Sequence, residues 1–211
     1  MRAYRGTTMT KAETLAQLAA HRKADEIIQG AYWGDGHGCA VGCLTHDPSG
    51  GHGRFPDLFG VPVQIAYLMD AIFEALPPEQ AKDWPMRVMR AIPEGADLSR
   101  AWDRWCAWML TDLATLDSDA QAEVQAMADL FVRAAAGDEP TVEEWDARAA
   151  RYARDARDAR DARAAWAARV ARAAWAAGDV WVARVARDAW STRAADELVR
   201  IMETSPVEMG K

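Results

Sequence analysis

Apolar residues return every three to four positions along most of the chain, the period of a helix that buries one face. Thr10-Lys11-Ala12-Glu13 reads as a capping box, in which the threonine hydroxyl and the glutamate each satisfy a free amide of the first turn. Leu15, Leu18, Ala19 and Ile27 follow it, so a helix is predicted over 11–29, with Gly30 as its stop. Ile65, Leu68, Met69, Ile72 and Leu76 form a second stripe, opened by Gly60-Val61-Pro62 and closed by Pro77-Pro78. A shorter helix is predicted over 79–92, interrupted near Trp84-Pro85. Trp102, Trp105, Cys106, Trp108, Met109 and Leu113 cover a wide arc of a helix over 98–115 and mark it as central to a core. Val124, Met127, Ala128 and Phe131 point inward on 119–136, which Gly137 ends. Thr141-Val142-Glu143-Glu144 is a second capping box, and no glycine or proline follows it until Gly178. One helix of roughly 54 Å is therefore expected over 142–177, and another over 179–203. No segment alternates as a strand does, and no β-hairpin is expected. The pattern predicts an all-α protein, with an N-terminal helical bundle over 1–138 that carries a glycine-rich loop. A long alanine-rich helical hairpin over 139–211 is expected to follow as an assembly element.

Within that hairpin the triplet Arg154-Asp155-Ala156, Arg157-Asp158-Ala159, Arg160-Asp161-Ala162 spirals around the rod, because three residues turn about 300° on a helix. It makes no apolar face and pairs its own charges. Trp166, Val170, Trp175, Trp181, Val185 and Trp190 then punctuate an alanine background, a pattern of large knobs among small residues that suits close helix packing. Self-association as a two-fold dimer is the expected use of this surface.

Composition narrows the function classes. The 211 residues carry a formal charge of −7, from 25 Lys and Arg against 32 Asp and Glu, which argues against a general nucleic-acid binder. Three Cys do not make a disulfide scaffold. No apolar run reaches the ~18–20 residues of a membrane span, and Met1-Arg2-Ala3-Tyr4-Arg5-Gly6 leads into no apolar segment of a secretory signal. A soluble, cytoplasmic protein is expected.

Chemistry concentrates in one place. Three of the four His and two of the three Cys fall between 37 and 52, within a glycine-rich stretch that helix packing does not require. Were 39–46 helical, Cys39, Cys43 and His46 would stand at about 0°, 40° and −20° around the axis, on one face. With His37 or His52 as a fourth donor they would form a Cys2His2 set of the kind zinc favours, so zinc is the candidate cofactor. A thiol nucleophile is an alternative: Cys39 at a helix N-terminus, with His46 as base, would serve a hydrolase or group-transfer enzyme. A third reading is a cradle for a small molecule or protein partner, with open backbone at Gly36 and Gly38. Tyr32 and Trp33 would stack on a ring, and Asp35, His52 and Arg54 would supply polar contacts. A purely structural cluster, with both thiols buried as small hydrophobes, is the fourth. His21 reads as a surface residue and Cys106 as core. A non-enzymatic binding protein that uses the 32–54 loop is the leading expectation.

The run Gly38-Cys39-Ala40-Val41-Gly42-Cys43-Leu44-Thr45-His46, with Gly95-Ala96-Asp97-Leu98-Ser99 and the alanine-rich tail, resembles a group of uncharacterised bacterial and phage proteins. The resemblance covers most of the chain and implies no activity. A phage association implies an anti-defence role, exerted by binding a host protein.

Overall fold

The structure is a computed structural model that describes residues 2–114, 121–147 and 180–207. It is mostly helical, as the periodicity predicts. Two compact units are present, Met1–Trp102 with Arg187–Lys211, and Asp103–Ala186.

In the first unit, α1 (Lys11–Lys23) opens on the expected capping box. The Thr10 amide donates to the Glu13 carboxylate at 2.8 Å, and the Glu13 amide donates to the Thr10 hydroxyl at 3.2 Å. The helix stops six residues before the predicted end. Asp25 takes the left-handed conformation (φ 58°), and the Glu26 amide turns back to the His21 carbonyl at 3.0 Å while Asp25 bonds Arg22. This is a Schellman closure with Asp in the place usually held by Gly, a substitution that short polar side chains tolerate. Lys82 holds the Asp25 carboxylate at 2.6 Å.

The chain then makes a small sheet that the periodicity did not predict. β1 (Trp33–Gly34) pairs antiparallel with β2 (His37–Gly38) around Asp35 and Gly36, both at positive φ. Asp-Gly in a two-residue turn is a strong short-range hairpin signal, because its backbone twist matches that of the strands. Ile27 and Ile28 extend this ladder through Gly38, whose amide reaches the Glu26 carbonyl and whose carbonyl accepts from Ile28, both at 2.9 Å.

α2 (Ala40–Thr45) is the short helix expected inside the loop, and it is wholly buried. A 3-10 turn (His52–Arg54) and α3 (Phe55–Phe59) follow, where the sequence reading had only loop. α4 (Val63–Ala75) matches its stripe, and α5 (Pro78–Ala91) runs unbroken through Trp84-Pro85, where the sequence predicts an interruption. α1 packs on α5 and α2, and α4 packs on α2 and α5. Leu18, Phe55, Phe59, Ile65, Met69, Phe73, Trp84 and Met89 form the centre of this core. The buried Trp84 indole donates to the Met69 carbonyl at 2.9 Å, which ties α5 to α4.

In the second unit lie most of α6 (Ala101–Ala114) and α7 (Gln121–Ala135). Trp105 and Cys106 are buried, but Trp102, placed on the same arc by the sequence, is exposed and Trp108 and Met109 are half-buried, so only part of the predicted arc faces a core. Residues 142–147 (α8) begin on the second capping box, with the Thr141 amide 2.8 Å from the Glu144 carboxylate. Arg133 pairs with Asp138 at 2.8 Å and Glu144 at 2.6 Å, and Phe131 packs on Trp145. The remainder of the helix predicted over 142–177, including the Arg-Asp-Ala triplets, lies outside the described residues. α9 (Val180–Glu203) agrees with the predicted last helix. Its part within the first unit meets α5 through Arg87–Asp196 at 2.5 Å and Gln80–Thr192 at 3.2 Å. Among the described residues no single helix is long and apolar enough to cross a membrane.

Candidate functional site

α2 organises the chemistry of the loop from its two ends. Cys39 is its N-cap, in extended conformation, and the Gly42 amide donates to the Cys39 sulfur at 3.4 Å. His46 is its C-cap, in the left-handed region at φ 52°. Neither residue is helical, so the rotation of about 100° per residue that would align both with Cys43 does not apply to them. The expected set of Cys39, Cys43, His46 and His37 is accordingly distributed over separate surroundings. Cys43 points its thiol at the Gly38 carbonyl (3.3 Å) and the Glu26 carbonyl (3.7 Å). His37 keeps its Nδ1 3.3 Å from the Asp35 carbonyl on the hairpin.

The backbone approach that sets this geometry is close. A Cβ on Gly38 would fall 1.9 Å from the Tyr32 carbonyl oxygen, and one on Gly42 would fall 2.8 Å from it. These two glycines let α2 press against the strand before it. Gly36, at the hairpin tip, faces open space, and Asp35 beside it is exposed. Arg54 donates to the Thr45 carbonyl at 2.8 Å, so part of its guanidinium is engaged with the end of α2.

At the C-terminal end of α2, His46 Nε2 lies 2.8 Å from His21 Nε2, and His21 Nδ1 lies 2.6 Å from the Glu26 carboxylate. Trp33 stacks on the His46 ring at 4.3 Å and meets His21 edge-on at 5.2 Å. The Gln17 amide nitrogen donates to the Cys43 carbonyl at 2.6 Å and lies 3.3 Å from His46 Nε2. His21 is therefore buried, not the surface residue its helical position suggested. The early end of α1 turns Glu26 back onto it.

At the N-terminal end, Cys39 faces α4. Its sulfur, one Asp70 oxygen and one Glu74 oxygen lie within 4.8 Å of one another, a group that could hold a metal ion. Asp70 Oδ2 is 3.0 Å from His52 Nε2, while Asp70 Oδ1 is buried with no hydrogen-bond partner of nitrogen or oxygen among the described residues. Glu74 accepts from the Gly30 amide through both oxygens, at 3.2 and 3.0 Å. His52 is 6% exposed, between two exposed tyrosines. Tyr67, 59% exposed, stacks on it at 4.2 Å, and Tyr32, 47% exposed, meets it edge-on at 5.9 Å.

Burial pushes the Cys39 thiol up to about 12, and the neighbouring Asp70 carboxylate adds to that, against the Gly42 amide. Burial does the same to Cys43, also to about 12. Both thiols hold their protons at neutral pH, which is the wrong state for a nucleophile. Glu74 is raised by burial and by Asp70, against the pull of the Gly30 amide.

Tyr67, Asp70 and Glu74 were absent from the sequence-derived set. They stand at about 0°, −60° and −20° around α4, a polar stripe opposite the apolar one that defines the helix. Compared with protein-family models, with curated proteins and with solved structures, the chain matches none.

Proposed function

We propose that the protein acts by binding, through the face that the 32–54 loop shares with α4, and that a zinc ion held by Cys39, Asp70 and Glu74 anchors that face. The observation that carries this reading is Asp70. One of its oxygens is oriented by His52, and the other is buried beside a second carboxylate with no nitrogen or oxygen partner among the described residues, facing only the Cys39 thiol. A hydrogen bond that orients a ligating carboxylate is a common support of metal sites. Thiolate and carboxylate donors together suit zinc, and three protein ligands leave a fourth position for a bound group. A cation there would relieve the repulsion between Asp70 and Glu74, and coordination would draw the proton from Cys39. Tyr32 and Tyr67 supply the exposed aromatic surface next to the open position, suited to a small molecule or a protein side chain that offers a ring and an anionic donor.

Zinc titration of EDTA-treated protein by calorimetry, with cobalt substitution as a spectroscopic check, tests this reading. Wild type should take up one zinc per chain, and cobalt should show thiolate-to-metal absorption. Asp70→Asn and Cys39→Ser should lose both, while His37→Ala keeps them. Folded wild type that takes up no zinc would overturn the reading, as would uptake untouched by Asp70→Asn.

A further inference from the structure

The two imidazoles at the other end of α2 face each other nitrogen to nitrogen, His21 Nε2 to His46 Nε2, at 2.8 Å. That contact constrains the number of protons between them to one. With none, two lone pairs oppose each other. With two, N–H opposes N–H. One proton makes an ordinary hydrogen bond of the observed length. A tetrahedral zinc ion with Zn–N distances near 2.0–2.1 Å would hold the two nitrogens about 3.3 Å apart, so the observed spacing fits a proton better than a metal. The pair has room for a first added charge, since either ring can become an imidazolium and still share one bridging proton. The second charge breaks the bridge.

We infer that His21 and His46 form a proton-operated latch, in which one bridging proton fastens the C-terminal end of α2 to α1 and charging both rings releases it. The surroundings set where this happens. Glu26 faces His21 Nδ1 at 2.6 Å. The charged groups that bear on His46 are His21, Glu26 and Arg54, and the Asp47 carboxylate that follows it in the chain is turned onto Ser49 at 2.5 and 2.8 Å. Gln17 and Trp33 are uncharged. Burial, the His21 charge and Arg54 all resist a proton on His46, and only Glu26 favours it, so the second charge arrives below the usual histidine range. The His46 ring is exposed enough to swing away once released. Release would unstack Trp33, free the left-handed cap of α2, and loosen the 46–51 turn that leads into His52. Release of the latch would thereby disorder one wall of the binding face through contacts other than those of Cys39, Asp70 and Glu74.

The test follows histidine ring nitrogens by NMR and amide exchange by mass spectrometry in EDTA-treated protein, from about pH 7.5 to 5. In wild type, His21 and His46 should titrate in two coupled steps. Exchange at 43–46, corrected for its chemical rate, should rise by up to about tenfold per pH unit as pH falls from about 6.5 toward the second step and level off below it, as expected for opening linked to one proton. His46→Phe keeps a ring for Trp33 to stack on but removes the bridge, so its corrected exchange should not change with pH. Asp70→Asn should leave the latch titration as in wild type even if it abolishes zinc binding, which separates this inference from the metal reading. Independent one-step titrations of the two rings would overturn it, as would equal pH dependence in wild type and His46→Phe. A shift of both ring signals when EDTA is added to untreated protein would also overturn it, by showing a metal in place of the proton.

Discussion

The α-carbon of Gly38 lies against the carbonyl of Tyr32, so close that a side chain at 38 would meet the oxygen at 1.9 Å. The obstacle is backbone, which cannot rotate away as a side chain can. Gly38→Ala should therefore cost about 3 kcal/mol, the upper part of the range for overpacking a buried site. Gly36→Ala meets nothing in space and bears only the strain of a left-handed residue, about 1 kcal/mol. Urea denaturation of the two variants checks the contrast. Equal losses would mean that the hairpin tip, and not the α2 approach, limits the loop.

Thiol chemistry offers a second test. Cys39, Cys43 and Cys106 are all buried, and burial pushes each up to about 12. Folded protein at pH 8 should react slowly with a disulfide reagent, and unfolded protein should release three equivalents at once. A thiol that labels rapidly in the folded state would restore the cysteine-enzyme reading.

Zinc affinity should depend on pH with a defined sign. The Cys39 proton must leave on coordination, and it is held up to about 12, so affinity should rise about tenfold per pH unit between pH 6 and 8. Calorimetry in buffers of different ionisation enthalpy should count one proton released. No proton release would mean that Cys39 is not a ligand.

His46 makes stability itself depend on pH. Burial first and the His21 charge next lower its affinity for a proton, with Glu26 opposing and Arg54 adding to the effect. The unfolded chain, with a histidine near 6.5, then binds more protons than the folded one as pH falls below that value. Stability contributed by the neutral ring is complete above about pH 6.5 and declines below it. Urea midpoints at pH 7.5 and 5.5 should show the decline in wild type, reduced in His46→Phe. A wild-type midpoint that rises toward pH 5.5 would reverse the assignment.

Trp84 tests the core. Trp84→Phe removes the indole's bond to the Met69 carbonyl and should cost about 0.5–1.5 kcal/mol, with Trp84→Ala at about 3–5 kcal/mol. Thermal unfolding followed by circular dichroism separates the two.

Features decided within a few residues were legible in the sequence. Both capping boxes form as Thr10-Glu13 and Thr141-Glu144 announce, because their partners are three residues apart on one turn. The hairpin was also local, and Asp35-Gly36 carried its signal; a reading by helical period alone passes over strands of two residues. The end of α1 was hidden because Asp25 performs a task that Gly30 was better suited to by type. The site was half legible. Cys39, His46, Tyr32, Trp33 and His52 all lie in the glycine-rich stretch, but their grouping depends on which of them are caps. Asp70, Glu74 and Tyr67 come from another helix, and only the packing of α4 on α2 brings them in.

The six residues of α2 join two sets of contacts whose spacing they fix, at about 9 Å of rise. Inserting or deleting one residue between Cys39 and His46 would turn one end by about 100° against the other. Either the thiol would leave Asp70 or the imidazole would leave His21. The segment is therefore a gauge of constant length, intolerant of indels even where single substitutions are accepted. The hairpin tip at Asp35-Gly36, which projects into open space, is where natural variants could change length, and where a tag or reporter could be spliced in with both clusters intact.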